Sequence, residues 1–208
     1  MIGHIGVDES GKGDYFGPLV IAACYVGAEH LAELDGVKDS KKLTDENSIK
    51  LAMRIREVCP HAIVAIGPEK YNELYEKFNN LNSLLAWGHA QAIENALKEH
   101  PSPFAISDEF SKGGHLVRQQ LAKKGINIEL KSAVRAESDI AVAAASILAR
   151  AEFLRRLSAL SSQFEMKLPK GATSVVDPGR RFVACHGASA LRNVAKLHFK
   201  TTQQVLAH

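Results

Sequence analysis

Short apolar segments alternate with longer segments of helical periodicity along this chain, and that alternation constrains the fold more than any other feature. Runs rich in apolar and β-branched residues predict strands, at Ile2–Val7, Leu19–Val26, Ala62–Ile66, Phe104–Ser107 and Ile126–Leu130. Apolar residues spaced three or four apart predict helices, at Asp45–Val58, just after Pro68, at Asn82–Leu97, Leu116–Lys124 and Asp139–Ala159, and near Ser189–Leu197. Because strands and helices intermingle, we predict an α/β protein.

Size and composition indicate a globular protein with one core. The chain has 208 residues, of which 46% are hydrophobic and 24% are charged, which suits one substantial core or at most two small domains. Because the sequence has no repeat, low-complexity segment or linker, we expect a single domain over residues 1–208. No apolar stretch is long enough to cross a bilayer, and the N-terminus lacks the basic and apolar regions of a secretion signal. We therefore expect a cytoplasmic protein with no membrane partner. We also expect a monomer, although no sequence feature bears on the oligomeric state.

The cysteines suggest neither a disulfide framework nor a zinc site. Cys24, Cys59 and Cys185 are far apart, and no two of them form a C-x-x-C pair. Three buried, reduced thiols are expected, which suits a reducing compartment.

The net charge of +3 permits binding to nucleic acid without requiring it. Basic residues gather in three groups, which are Lys38, Lys41 and Lys42, then Lys167 and Lys170, then Lys196 and Lys200. Acids in apolar surroundings lie between these groups. A basic surface around an acidic site suits a polyanion handled by metal ions, although any single lysine is equally well explained as solvated surface.

Asp8 and Glu9 end the first predicted strand and precede a glycine-rich segment, Ser10-Gly11-Lys12-Gly13-Asp14. Two adjacent acids at the end of an apolar strand are costly unless a positive charge compensates them. Successive side chains of a strand point to opposite faces, so both acids reach one site only if the chain leaves regular strand form at Glu9. The glycines favour this distortion, and they expose backbone N–H groups to a sugar or phosphate.

The same segment nearly matches the phosphate-binding loop of nucleotide hydrolases, because four residues separate Gly6 from Gly11-Lys12. That loop requires Ser or Thr after the lysine, where this chain has Gly13. It also requires a helix next, whereas Phe16-Gly17-Pro18-Leu19 predicts another strand. Acids inside the loop would repel phosphates as well, so no nucleotide cofactor is expected.

Two further acids lie at the ends of predicted elements. Asp108 follows the strand Phe104–Ser107, and Glu137 precedes the helix that begins near Asp139. Taken alone, Asp108 is explained as a loop acid or a helix cap. Glu137 is explained as a first-turn acid that the helix dipole favours, unless Asp139 takes that role.

Considered together, Asp8, Glu9, Asp108 and Glu137 predict a metal site. Four carboxylates at strand ends and a helix start suit two divalent cations about 4 Å apart. Hard oxygen ligands favour Mg²⁺ or Mn²⁺ over zinc.

The opening motif, Val7-Asp8-Glu9-Ser10-Gly11-Lys12-Gly13-Asp14 with Phe16-Gly17-Pro18-Leu19, resembles that of the ribonuclease HIII family. The resemblance continues along nearly the whole chain, through Asp39–Leu43, Tyr71-Asn72, Asn80–Asn82, Leu85–Trp87, His89, Asp108, Phe110, Ala136–Ser138, Ala144–Arg150, Leu168–Ala172 and Ala195–Lys200. The sister family, ribonuclease HII, usually has Arg in place of Lys12 and Asp in place of Glu137, and it lacks the Leu168–Ala172 stretch. Type HIII is therefore favoured.

This resemblance implies a ribonuclease H-like fold, with a central mixed five-stranded sheet flanked by helices and additional C-terminal helices. It implies an endonuclease that hydrolyses the RNA strand of RNA–DNA hybrids by a two-metal-ion mechanism, leaving 5′-phosphate and 3′-hydroxyl ends. The implied catalytic and metal-binding residues are Asp8, Glu9, Asp108 and Glu137. The implied substrate contacts are Ser10, Gly11, Lys12 and Gly13, whose backbone groups sense 2′-hydroxyls, and Ser40, Lys41, Lys42 and Lys170, which hold phosphates. His198 lies between apolar neighbours and is predicted to be structural rather than catalytic.

One departure and three alternatives accompany the resemblance. Ribonuclease HIII normally carries an N-terminal substrate-binding domain, whereas the motif here begins near the first residue, so we expect a catalytic domain without it. The alternatives are a ribonuclease HII-like enzyme that nicks at single embedded ribonucleotides, a related junction resolvase, and a hybrid-binding module without activity.

Overall fold

Two units make up the structure, a computed structural model that describes residues 2–37, 43–108, 110, 112–133 and 136–207, without the side chains of Lys112 and Glu137. The first unit comprises Met1–Ser10, Val20–Val64 and Asn80–Ala151, and the second comprises Gly11–Leu19, Ala65–Asn79 and Glu152–His208. The single domain expected over residues 1–208 stays a prediction.

A mixed five-stranded sheet in the order β3-β2-β1-β4-β5 lies mostly in the first unit. The strands are β1 His4–Ser10, β2 Leu19–Val26, β3 His61–Ile66, β4 Phe104–Asp108 and β5 Glu129–Ala133. β1 is antiparallel to β2 and parallel to β4, and β4 is parallel to β5. The predicted α/β class and five-stranded mixed sheet are confirmed, although β5 begins at Glu129 rather than Ile126.

β1 ends later than its sequence predicts, at Ser10 rather than at Val7. Its pairing with β2 continues in register through Glu9, which lies opposite Ile21, and Ser10, which lies opposite Val20. The expectation that the chain leaves regular strand form at Glu9 is therefore wrong. Backbone groups at the end of β1 have ladder partners in β2, and the backbone becomes irregular only at Gly11, whose φ is +89°.

The first unit also contains several helices. They are α1 Asp45–Val58, α3 Leu81–Glu99, α4 His115–Lys123 and the first half of α5 Ile140–Gln163. α1 is capped by Thr44, whose Oγ1 accepts from the Asn47 amide at 3.2 Å. The alanine-rich start of α5 lies close to β1, since a Cβ at Gly6 would lie 2.1 Å from backbone atoms of Ala141 and Val142.

The second unit contains α2 Pro68–Phe78, the rest of α5, α6 Val176–His186 and α7 Thr201–Leu206. The resemblance implies C-terminal helices, but apolar periodicity locates neither α6 nor α7. Pro178 and Gly179 suggest a break, yet proline is compatible with the first turn of a helix, and Gly179 lets α6 approach Val205 of α7. The helix predicted near Ser189–Leu197 is instead a 3₁₀ turn over Ala188–Asn193.

Two expectations about burial are wrong. Cys24 and Cys59 are buried, but Cys185 is exposed because it lies near the end of α6, where residues 184–189 are all exposed. Lys196, expected on a basic surface, is fully buried. Among the described residues, no helix combines the length and the apolar character needed to cross a membrane.

Candidate active site

Asp8 is a buried acid near the carboxyl end of β1, with 6% of its surface exposed. Gly6 faces α5, and residues two apart on a strand share a face, so Asp8 also faces α5 and forms a hydrogen bond with Ser146. Burial raises the pKa of Asp8 from 3.8 to about 7, and the negative charge of Glu9 acts in the same direction. The hydrogen bond with Ser146 partly opposes this shift. A cation beside Asp8 would reverse it.

Asp108 lies next to Asp8 on the neighbouring strand. β1 and β4 are parallel, with Val7 opposite Ser107. Asp8 and Asp108 each follow directly after these residues, so they occupy equivalent positions on adjacent strands. The negative charge of Asp108 also contributes to the raised pKa of Asp8. Two of the predicted metal ligands therefore share one end and one face of the sheet.

The turn that carries Glu137 lies against the end of β4. Oδ1 of Asp108 accepts a hydrogen bond from the backbone amide of Ala136 at 3.2 Å, and Glu137 is the middle residue of the 3₁₀ turn Ala136–Ser138. The backbone of Glu137 is thereby held near Asp108. The Glu137 side chain lies outside the described residues.

Glu9 points to the opposite face of the sheet, toward α3. Its Oε2 is 3.1 Å from Nε2 of His89, a residue with no exposed surface. Nδ1 of His89 is 3.0 Å from Oγ of Ser107, and that hydroxyl is placed to donate to the carbonyl oxygen of Asp108 at 3.1 Å. Glu9 is thus connected through His89 and Ser107 to the backbone of Asp108.

Asp139 takes the helix-start role that the sequence left open between it and Glu137. Its Oδ1 accepts hydrogen bonds from the amides of Ala141 at 2.9 Å and Val142 at 3.2 Å, which caps α5. His4 Nε2 is 2.9 Å from the other oxygen. Burial raises the pKa of Asp139, but the hydrogen bond with His4, the charge of His4 and the hydrogen bonds from the Val142 and Ala141 amides together outweigh burial and leave the pKa lowered. Capping of α5 therefore does not require Glu137.

The described acids suit a hard divalent cation chemically. Their donors are carboxylate oxygens, which Mg²⁺ and Mn²⁺ prefer, and the buried Asp8 lies beside two other negative charges. Within the part of the chain that the structure describes, no three His, Cys, Asp or Glu side chains are close enough to hold a metal ion as placed. Glu9 is turned toward His89 there, and the Glu137 side chain is outside that part. The donor set fits the cation.

Gly11 and Gly13 are glycines for different reasons. Gly11 has a φ of +89°, and a Cβ there would lie 2.2 Å from the carbonyl oxygen of Pro18, so packing within the protein explains it. A Cβ at Gly13 would meet no described atom within 4 Å. A glycine in open space leaves its backbone accessible to a ligand. Ser10 and Lys12, on either side of Gly11, are half-buried.

Lys170 is the predicted phosphate contact farthest along the sequence from Asp8 and Glu9. It lies beside the loop that follows Gly13. The amide of Gly171 donates to Oδ1 of Asp14 at 2.6 Å, and the amide of Tyr15 donates to the carbonyl of Gly171 at 2.8 Å. Lys170 itself is exposed. The remaining predicted contacts, Ser40, Lys41 and Lys42, lie outside the described residues.

His198 is packed among aromatic rings, as its apolar neighbours predict. Its ring stacks on Tyr75 with a centroid separation of 4.2 Å. Burial lowers the pKa of His198 to about 4, and the charge of Lys196 acts in the same direction. His198 is therefore a neutral packing residue near neutral pH.

Sequence reasoning assigned no role to His89, Ser107 or Ser146. The signal for all three is a polar residue within an apolar stretch: His89 on the apolar side of α3, Ser107 in β4 and Ser146 in the alanine-rich part of α5. A buried polar group needs a hydrogen-bond partner. Each of these residues has a predicted metal ligand as a partner, which sequence alone could not identify.

Comparison with known proteins supports one family. A family model described as Ribonuclease HII matches residues 5–202. The ribonuclease HIII of Protochlamydia amoebophila is 45% identical over 206 residues, which cover 98% of this chain and 68% of that protein. The ribonuclease HIII of Chlamydia pneumoniae is 47% identical over 207 residues, which cover 97% of this chain and 70% of that protein.

A solved structure agrees with these sequence relatives. The crystal structure of Bst-RNase HIII in complex with Mn²⁺ has a TM-score of 0.92 and 36% identity to this chain, covering 99% of it and 69% of that protein. The model match, the named relatives and the shared fold extend over nearly all of the residues. The chain belongs to the ribonuclease HII family, with type HIII enzymes as its curated relatives, and is a ribonuclease H, an enzyme that hydrolyses the RNA strand of RNA–DNA hybrids.

Proposed function

We propose that this ribonuclease H cuts inside the RNA strand with two Mg²⁺ or Mn²⁺ ions held by Asp8, Glu9, Asp108 and Glu137, leaving 5′-phosphate and 3′-hydroxyl ends. The observation that carries the proposal is the pair Asp8 and Asp108, which lie on one face of adjacent strands, where burial raises the pKa of Asp8 to about 7. Glu9 would join them by turning its side chain away from His89. The Mn²⁺ in the Bst-RNase HIII crystal supports a divalent cation as cofactor.

The chain's own contribution to the chemistry is to place its carboxylates. Two cations, when bound, promote deprotonation of the attacking water and offset charge on the leaving 3′ oxygen. Asp8 and Asp108 project from adjacent parallel strands, and the Ala136 amide fixes the turn that carries Glu137. Burial of Asp8 strengthens its interaction with a cation, because the local dielectric is lower than that of water.

Recognition of RNA is proposed to involve the loop that directly follows β1 in the chain. The backbone at Gly13 is open to a ligand, and backbone groups that bond a 2′-hydroxyl distinguish ribose from deoxyribose. Lys12 and the exposed Lys170 supply positive charge for phosphates.

A cleavage assay tests the proposal. The purified chain is incubated with a labelled RNA–DNA hybrid in the presence of Mg²⁺, of Mn²⁺, or of a chelator. We expect cleavage of the RNA strand with at least one cation, 5′-phosphate ends on the products, and no cleavage with chelator. Absence of cleavage with both cations would leave a binding module as the better account.

The Asp108→Asn variant tests the ligand assignment. It removes one negative charge from the cluster while keeping the size of the side chain, so cleavage should fall by about 10²-fold or more while hybrid binding stays within a few-fold. Asp35→Asn is a matched control, because Asp35 is exposed at the end of a 3₁₀ turn. Near-normal cleavage by Asp108→Asn would show that Asp108 does not hold a cation.

Cleavage at a single ribonucleotide embedded in duplex DNA is the second candidate function. The description of the matching family model as Ribonuclease HII favours it. A type HIII enzyme is expected to cut a uniform hybrid much faster than a duplex with one ribonucleotide. The reverse preference would assign the chain to type HII behaviour.

A further inference from the structure

Lys196 is a fully buried lysine that the proposed chemistry does not use. Its Nζ donates to the carbonyl oxygens of Asp14 and Gly17, both at 2.8 Å. Burial lowers the pKa of Lys196 to about 7, although the charge of Asp14 opposes the shift. Burying an ammonium group is unfavourable unless hydrogen bonds offset the loss of water. A long apolar side chain would fill the same volume without this penalty, so the two hydrogen bonds are what distinguish a lysine here.

The backbone on both sides of Lys196 is anchored to α2. The side-chain amide of Asn72 donates to the carbonyl oxygens of Arg192 at 3.2 Å and Ala195 at 3.0 Å. Its Oδ1 accepts from the Leu197 amide at 2.9 Å. The backbone position of Lys196 is therefore fixed by hydrogen bonds on both sides.

The Asp14–Gly17 loop, on which Lys196 acts, leads directly from Gly13. Two further hydrogen bonds join it to the segment around Lys196, since the Lys196 amide donates to the Tyr15 carbonyl at 2.9 Å and the Gly17 amide donates to the Val194 carbonyl at 2.9 Å. Asp14 and Tyr15 also hold Gly171, the residue after Lys170. Lys196 thus fixes the loop that connects two proposed substrate-contact segments, Gly11–Gly13 and Lys170.

We propose that Lys196 is a positioning residue for substrate recognition, which holds the Asp14–Gly17 loop so that the Gly11–Gly13 backbone and Lys170 keep the arrangement that distinguishes an RNA strand from a DNA strand. This inference rests on the proposed function of the same loop. Lys196 does not touch the substrate or the acids in this role. Its effect is therefore on substrate binding and on sugar discrimination, and not on cation binding.

The Lys196→Met variant tests the role, because methionine keeps much of the length and lacks the donors. We expect KM for a uniform RNA–DNA hybrid to rise about tenfold, as for the loss of hydrogen bonds from a charged group, with kcat changed less than about threefold. Replacing the ribose next to the cut by deoxyribose should lower the cleavage rate, and this decrease should be smaller for the variant than for the wild type. Mn²⁺ affinity, measured by calorimetry without substrate, should be unchanged.

Phe182→Leu is a control for stability, because Phe182 is buried in α6 and packs on Phe164 rather than on the loop. It should lower the melting temperature without changing KM or sugar discrimination. Lys196→Arg, which keeps a cationic donor, should recover part of the lost affinity. If Lys196→Met does not fold, the same measurements on Lys196→Gln test the role of Lys196, because glutamine keeps only a neutral donor.

Two kinds of failure are distinguishable. If the wild-type chain cuts no hybrid with either cation, the proposed function fails, and this inference fails with it. If the wild type cuts but a folded Lys196 variant has wild-type KM and sugar discrimination, only the role of Lys196 is overturned. A variant that differs from the wild type in the same way as Phe182→Leu would likewise reduce Lys196 to a packing residue.

Discussion

Asp8 makes the stability of the metal-free protein depend on pH. Its pKa is about 7 in the folded chain and 3.8 in the reference state, so between these values the unfolded chain has lost a proton that the folded chain keeps. A group with a raised folded pKa stabilises the fold fully below its unfolded pKa and loses this effect as the pH rises through its folded pKa. The metal-free protein should therefore lose stability from about pH 4 to about pH 7 at this group.

Asp8→Asn should remove that dependence. With chelator present, we expect the variant to gain stability relative to wild type as the pH rises over this window, with a melting temperature roughly 5 °C higher at its upper end. Mn²⁺ should raise the melting temperature of the wild type and have little effect on the variant, because metal binds the deprotonated ligand. Thermal denaturation over a pH series measures both. Parallel curves for the two proteins would contradict the raised pKa of Asp8.

His89 provides a test of whether Glu9 must be oriented. A glutamine side chain can place its amide nitrogen near the position of Nε2, which contacts Glu9, whereas asparagine reaches only the position of Nδ1, which contacts Ser107. Loss of a residue that orients a metal ligand typically lowers metal affinity 10–100-fold. We expect that loss for His89→Asn, and a change of less than about threefold for His89→Gln.

Calorimetric titration of each folded variant with Mn²⁺ measures the difference, with circular dichroism as the check on folding. Both substitutions remove the same buried ring, and they differ in volume by one methylene group. Equal Mn²⁺ affinities for the two variants would mean that His89 packs beside Glu9 without orienting it.

At the scale of elements, sequence predicts what local periodicity and caps determine. β2 and α1 begin and end where predicted, since each has uninterrupted periodicity and α1 has the Thr44 cap. The face to which Glu9 points could not be predicted, because it depends on pairing with β2, a strand that starts ten residues later. The approach of Glu137 to Asp108 depends likewise on a tertiary hydrogen bond between residues 28 apart.

The contact between β1 and α5 depends on Gly6. A Cβ at this position would lie 2.1 Å from the carbonyl carbon of Ala141 and 2.1 Å from the amide of Val142. Both are backbone atoms, so the helix as a whole must move to accept a side chain. Gly6→Ala should therefore lower the free energy of unfolding by about 2–3 kcal/mol, as for other overpacked cores. It should also weaken Mn²⁺ binding, because α5 carries Ser146 to Asp8.

Urea unfolding measures the loss, and Gly67→Ala is the matched control. Gly67 precedes α2 with a φ of −61°, and a Cβ there would meet no described atom within 4 Å. Gly67→Ala should lower the free energy of unfolding by less than about 1 kcal/mol, the usual effect at a helix N-cap. A Gly6→Ala variant no less stable than Gly67→Ala would show that α5 is free to shift on the sheet.

For the whole molecule, the distribution of charge matters more than the total. The chain carries a net charge of +3, yet residues 152–208 alone contain nine Lys and Arg against three Asp and Glu. The preceding 151 residues, which include all four predicted metal ligands, are therefore net negative. A basic segment attracts a nucleic acid, while the acids bind phosphate only through cations.

Hybrid binding should accordingly be strongly dependent on salt. Each phosphate that a lysine neutralises adds ~0.9 to the slope of log affinity against log salt for B-form DNA, and somewhat less for other forms. Lys170→Ala should reduce the slope by ~1 and weaken binding about equally for all sequences. Lys50→Ala should leave the slope unchanged, because Lys50 is exposed on α1 and pairs with Glu46 at 2.6 Å.

Fluorescence anisotropy of a labelled hybrid, titrated with the Asp108→Asn variant over a range of KCl concentrations, measures the slope without cleavage. An equal decrease for both lysine variants would indicate diffuse attraction by net charge. An unchanged slope with weaker binding for Lys170→Ala would mean that this side chain supports the loop at Asp14 without contacting phosphate. A salt slope that decreases for Lys170→Ala and not for Lys50→Ala is the result expected if the basic segment holds the hybrid at defined positions.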